Sequence, residues 1–189
     1  MGDAPVRRLR RADRREQILD AATRAFARAG FAGTGLDDVA AEAGITRVLI
    51  YRHFDSKADM YRAVLDRALA RLDERVGTPD FDARAIPNLL QAAAADPDAF
   101  RLLFRHAARE PEFRDFVDRL TTGSVEIARK SLGPYIPDGP WLEWAARLIP
   151  AFTIEGVISW LDAGRPDPEH AASRIGHAIR GVIEAAQPR

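Results

Sequence analysis

From Arg47 to Lys57 the chain reads RVLIYRHFDSK, which gathers two arginines, a lysine, a tyrosine and a histidine around exposed-type apolar residues. Each of these groups has a definite chemistry toward duplex DNA. An arginine such as Arg47 can bond guanine O6 and N7 in bidentate fashion. Val48 and Leu49 can meet a thymine methyl, and Tyr, His and Lys can reach phosphate oxygens. Cationic, aromatic and small apolar groups on one short segment suit a major groove. The same residues also fit a plainer arrangement, an antiparallel helix pair whose solvated face happens to carry Arg and Tyr.

Such a set of side chains needs rigid elements to present it. In LDDVAAEAG the apolar residues Leu36, Val39, Ala40 and Ala43 recur every three or four positions and share one helix face. Gly44 stops that helix by taking the left-handed conformation at its C-terminus, and Ile45 drops toward the core. Thr46 is placed to cap the next helix, about two turns from Arg47 to Phe54, through its side-chain oxygen. Ile50 and Phe54 face inward on it. Arg47, Val48, Leu49, Tyr51, Arg52 and His53 face outward, so a helix-turn-helix spans about 35–54.

The flanking segments complete a small module. Asp13 and Glu16 open a first helix with an inward stripe of Ile18, Ala21, Ala22, Ala25 and Phe26, ended by Ala29, Gly30 and Phe31. Ser56 and Asp59 have capping-box spacing, so a fourth helix starts at Lys57. Its stripe of Met60, Tyr61, Val64, Leu65, Ala68 and Leu72 continues to about Val76. Lys57 then sits in a first turn, where free backbone N–H groups attract phosphate. Residues 1–12, with arginines at 7, 8, 10 and 11, read as a basic flexible arm that either tracks DNA or is simply a solvated tail.

Charge supports this division. The 189 residues are formally neutral, but residues 1–57 hold 11 basic and 8 acidic groups, a balance of +3, and the remainder carries −3. That asymmetry is expected of a DNA-binding module joined to an acidic regulatory one. The chain has no cysteine, so neither disulfides nor a cysteine-based zinc site are expected. Charges interrupt every apolar run before it reaches membrane-spanning length, and no apolar stretch follows the basic N-terminus to make a secretory signal. A cytoplasmic location follows as the expectation.

Gly77 to Asp80 marks a boundary, after which helices are expected near Asp82–Ala95, Pro97–Arg109 and Pro111–Leu132. Beyond the breakers of Gly133–Pro140, a long helix carries Trp141, Trp144, Ala145, Leu148, Phe152, Val157, Ile158 and Leu161, with Pro150 expected to kink it. A last helix carries Ala171, Ile175, Ala178, Ile179, Val182 and Ala186, and Gly176 and Gly181 would admit a close neighbour. These two helices either form a four-helix interface between two copies or cover the monomer's own core. No stretch alternates with strand period, so the fold is read as all-α. The organisation expected is an arm (1–12), a DNA-binding domain (13–57), a linking helix (58–76) and a helical ligand-binding and dimerisation domain (80–189). Glu155 in an apolar helix, and His170 and His177 on one face, read as surface groups. No nucleophile with its base, phosphate loop or metal-ligand spacing is visible, so neither an enzyme nor a cofactor is expected.

The string GITRVLIYRHFDSK resembles the recognition-helix signature of TetR-family transcriptional regulators, in which a Gly turn precedes a Tyr-x-His-Phe-x-Ser-Lys run. The resemblance extends back through RREQILDAATRAFARAGFAGTGLDDVA and covers 12–72. It implies that Arg47, Val48 and Leu49 occupy base-reading positions and that Thr34, Tyr51, His53 and Lys57 occupy phosphate-holding ones. Val48 stands where glycine or a small residue is common, Leu49 where Thr or Ser is frequent, and Gly35 where Thr often caps. The first two point to apolar contacts with thymine in place of hydrogen bonds. The resemblance also implies a small-molecule cavity among the middle helices, lined by Phe100, Phe104, His106 and Phe116. The function expected is that of a homodimeric, ligand-responsive repressor on a palindromic operator. The alternative is a helical ligand-binding or scaffolding protein with a vestigial DNA unit.

Overall fold

The computed structural model describes residues 10–77 and 84–187. The arm's Arg7 and Arg8 lie outside them. Arg10 is already the N-cap of the first helix, α1 (Arg11–Gly33), and its Nε bonds Asp13 at 3.0 Å. The arm is therefore shorter than expected, because nothing between Arg11 and Asp13 breaks a helix that an acid in its first turn favours.

The chain divides between Arg67 and Ala68 into two compact units. The first holds α1, α2 (Leu36–Ala43), α3 (Arg47–Tyr51) and the first half of α4 (Lys57–Val76). Gly30, at φ 71° and ψ 177°, breaks α1 near its end and aims Phe31 back toward the core. A β-carbon would strain that conformation. The rings of Phe26 and Tyr61 meet edge to face at 4.8 Å, with Phe31 5.1 Å from Tyr61. Around them Ile18, Val39, Ile50, Met60, Val64 and Leu65 are wholly buried. Two charged clamps hold the helices together from outside this core. Arg67 reaches Glu16 (3.0 Å), Asp20 (2.8 Å) and the Thr23 hydroxyl (3.0 Å) on α1. Glu42 of α2 accepts from Arg24 and Arg28, and these two guanidiniums hold its carboxyl below the usual range.

The second unit contains α5 (Ala85–Ala95), α6 (Pro97–Arg101), α7 (Arg114–Leu132), α8 (Pro140–Asp162) and α9 (Pro168–Ala186). The helix expected over Pro97–Arg109 is not continuous. After Arg101 the chain widens into a π turn, Leu102–His106, in which the Ala107 N–H reaches back to Leu102 O. It then tightens into 3₁₀ turns at Ala107–Arg109 and Pro111–Phe113. The widening brings Leu102 and Ala107, five residues apart and about 140° apart around a regular helix, both into the core beside Leu103. α8 passes through Pro150 as one helix. Two cores fill this unit. One joins α7, α8 and α9 around Ala128, Leu132, Leu142, Ala146 and Ile149, and the other joins α5, α6 and α8 around Leu90, Phe100, Val157 and Ile158.

Phe26 is fully buried at the centre of the first unit's aromatic cluster. Phe26→Ala should lower stability by about 3–5 kcal/mol, read as a reduced midpoint in urea.

Candidate nucleic-acid interface

The turn that aims α3 is set by Gly44, at φ 64° and ψ 37°. Its N–H reaches Ala41 O at 3.2 Å, and the Ile45 N–H reaches Ala40 O at 3.0 Å, closing α2 with paired reversed bonds. Thr46 follows in extended conformation at the N-cap. Its carbonyl accepts the Leu49 N–H at 2.9 Å, but its side chain makes no capping bond. The hydroxyl cap expected from sequence is therefore not formed, since this exposed turn leaves its first N–H groups open to water.

α3 itself is five residues long, shorter than the two turns expected. Its bonding nevertheless continues: the His53 and Phe54 N–H groups both donate to Ile50 O, at 2.9 and 3.0 Å. Ile50 is 0% and Phe54 2% exposed, so both anchor the element to the core. On the opposite face Val48 is 66% and Tyr51 48% exposed. Arg47 and Arg52 are exposed with them, while Leu49 and His53 are half-buried.

Arg47 is held from two sides. Its Nη1 donates to Asp37 Oδ2 and its Nη2 to the Tyr51 hydroxyl, both at 3.1 Å, and the guanidinium lies 5.6 Å from the Tyr51 ring centroid. At the other end of the segment, Arg15 of α1 stands over the Phe54 ring at 4.9 Å. Burial pushes the His53 imidazole below its ordinary range, and the charges of Arg11, Arg15 and Arg14 push it further.

Two residues expected on phosphates are turned inward. Thr34 is 2% exposed, and its hydroxyl donates toward Gly30 O at 2.7 Å and Ala25 O at 3.2 Å. It ties the break in α1 to the start of α2. The Lys57 ammonium donates to Phe31 O (2.8 Å) and Thr34 O (3.1 Å) and lies 4.3 Å over the Phe31 ring. Carbonyls freed by the break at Gly30 need donors, and Lys57 supplies them. The capping box also differs in detail: Ser56 Oγ accepts the Asp59 N–H at 3.0 Å, but the Asp59 carboxylate returns to the Asp55 N–H at 3.1 Å. Asp37 was missed from sequence, because an acid off the apolar stripe and ten residues before Arg47 gives no periodic signal.

The four residues expected around a small molecule do not converge. The Phe100 and Phe104 rings meet at 4.8 Å, with Phe100 and Phe116 buried and Phe104 and His106 half-buried. Phe100 alone of the four lines a cavity of about 20 Å³, together with Ala68, Arg71, Leu72, Arg75, Asp96 and Leu103 among others. That space suits a water molecule, far below the roughly 300 Å³ of a ligand site. Arg71 and Arg75 were legible in principle, since they share a helical face with Ala68 and Leu72. Glu155 is exposed and 3.7 Å from Arg105, and His170 pairs with Asp167 at 2.7 Å.

Two outcomes follow. Lys57→Met takes the ammonium from the Thr34 and Phe31 carbonyls, leaving Phe31 O with the long Thr34 N–H bond at 3.4 Å, and should cost about 1–3 kcal/mol in urea denaturation without DNA. For His53, an NMR titration should give a pKa below the ordinary histidine value. A depressed folded pKa means that the unfolded chain takes up the proton first. The stability tied to His53 is therefore present at neutral pH and is lost as pH falls through the histidine range.

Comparison with known proteins gives this geometry a family. The family model described as "Bacterial regulatory proteins, tetR family" matches residues 18–64. The HTH-type transcriptional activator FasR of Mycolicibacterium smegmatis is 29% identical over 98% of this chain and 86% of its own length. An HTH-type transcriptional repressor of Streptomyces coelicolor is 38% identical over 47% of this chain, which spans 46% of that protein. In fold, a TetR-like transcriptional regulator from Rhodococcus sp. RHA1 superposes with a TM-score of 0.80, at 24% identity over 93% of this chain and 98% of that one. With α3 presented by a glycine turn inside the matched segment, residues 18–64 are a DNA-binding module of the TetR-family type, and the chain is similar along nearly its whole length to a DNA-binding transcriptional regulator.

Proposed function

We propose that the protein is a cytoplasmic, ligand-responsive repressor that binds a palindromic operator as a homodimer and catalyses no reaction. The observation that carries this is α3: its apolar face is locked in the core while Arg47, Val48, Tyr51 and Arg52 face out. Arg47, Val48 and Leu49 read bases from the start of that helix. Tyr51, Arg52 and His53 contact phosphates, and Thr46 stands at the helix N-terminus against the backbone. Thr34 and Lys57 support the reading head from behind it. In this reading the DNA-binding domain covers 13–57, α4 links, and 80–189 sense and dimerise.

Dimerisation through α8 and α9 is supported by what these helices leave uncovered. Trp141, Trp144 and Phe152 form an exposed stripe on α8, and on α9 Ala178, Gly181 and Ala185 are exposed. A side chain at Gly181 would meet nothing within 4 Å. A two-fold partner on this face would set two recognition helices on successive turns of the major groove. The effector enters the second unit at Phe100, and the cavity there has to open for it. Effector and DNA favour different spacings of the two recognition helices, so each weakens the other by the same coupling free energy. Activation is the second reading, because the relative that aligns over most of both chains is named an activator.

Fluorescence anisotropy against the DNA flanking the gene, with scrambled DNA and a salt series, tests this proposal. A saturable preference for the native DNA with two protomers per site is expected. Equal weak binding to the native, scrambled and randomly selected sequences would overturn it. Trp144→Arg should shift the protein toward monomer in analytical ultracentrifugation and weaken operator binding at least tenfold.

A further inference from the structure

Arg47 stands at the N-terminal end of the recognition helix on a long, flexible stem. An unanchored arginine there reaches a phosphate as readily as a base edge, and a phosphate contact carries no sequence information. This arginine is anchored. Asp37, in the first turn of α2, accepts from Nη1, and the Tyr51 hydroxyl, one turn further along α3, accepts from Nη2. Of five guanidinium donors two are engaged and three remain, enough for a bidentate pair on guanine.

Resting on the base-reading role given to Arg47 above, we propose that Asp37 is a specificity-determining positioning residue, whose carboxylate fixes the Arg47 guanidinium for guanine and holds it back from phosphate. Asp37 and Arg47 side chains are 76% and 50% exposed, so in the free protein their pairing adds little to stability. Its effect belongs to the complex. When α3 enters a groove and water leaves, the pair strengthens, and the guanidinium plane is set by Asp37 and Tyr51 together. The carboxylate also places a fixed negative charge beside the DNA. In a misplaced register Arg47 has no guanine to meet, and that charge is left near phosphates, which penalises non-cognate binding.

The test uses the full chain and a random-sequence duplex pool, with wild type, Arg47→Ala, Asp37→Asn, Asp37→Glu and the Arg47→Ala/Asp37→Asn double variant carried through selection in parallel. Arg47→Ala should erase a guanine preference at one position of each half-site. Asp37→Asn should weaken the same preference about tenfold. It should also bind scrambled duplex about threefold more tightly, with a salt slope steeper by about one as Arg47 turns to phosphate. The double variant should show no loss beyond Arg47→Ala alone, and Asp37→Glu, which keeps the charge, should retain the preference. An unchanged guanine preference in Asp37→Asn, beside its loss in Arg47→Ala, would overturn the role of Asp37. That role fails equally if Asp37→Asn and Asp37→Glu both lose the preference together with a lowered melting temperature, since Asp37 would then act through the fold. If Arg47→Ala selects the wild-type sequence, the base-reading role fails instead.

Discussion

A helix of five residues cannot hold itself in water, because nucleating a helical turn costs more than so few backbone bonds return. Everything the first unit presents to DNA therefore depends on the burial of Ile50 and Phe54. These two side chains fix both the rotation and the tilt of α3, and the glycine turn before it fixes where the helix starts. The remainder of the unit keeps that socket in shape. Phe26, Phe31 and Tyr61 fill its floor, Arg67 and Glu42 bind α1 to its neighbours, and Lys57 with Thr34 satisfies the carbonyls left open where α1 breaks.

Charge in this unit is best understood by what each group already touches. The excess of basic groups counted over residues 1–57 overstates what is available for DNA. Arg24 and Arg28 are committed to Glu42, Arg10 bonds Asp13, and Lys57 points into the protein. Arg47 and Arg52 remain on the outward face of the recognition segment. Placement thus outweighs total charge, and a formally neutral chain can still present a local cationic face.

The helices and their inward faces were legible in the sequence wherever apolar spacing is strict and a glycine, proline or acid marks the end. That covers α2 and α4, the turn at Gly44 and the anchors Ile50 and Phe54. Legibility failed where the deciding contact joins residues far apart in sequence. The lysine at 57 has the composition of a phosphate contact, and its capture by carbonyls 26 and 23 residues away has no periodic signature. Asp37 beside Arg47 is the same kind of case. Phe100, Phe104 and Phe116 show another limit: large apolar residues on middle helices look alike in sequence whether they line a cavity or fill it.

The wide turn at Leu102–His106 bears on how this part of the chain can vary. Each residue of a regular helix rotates the chain by about 100°. A surplus residue would turn everything after it away from the core, yet here Leu102 and Ala107, five residues apart, are both buried. The π turn absorbs the extra rotation locally, like a link that lets out slack without twisting the rest of the chain. A change of one residue in α5 or α8, which have no such turn, would swing a buried face by about 100°. Between α6 and α7 the register of the chain is thus shifted locally, beside Phe100, while the flanking helices keep theirs.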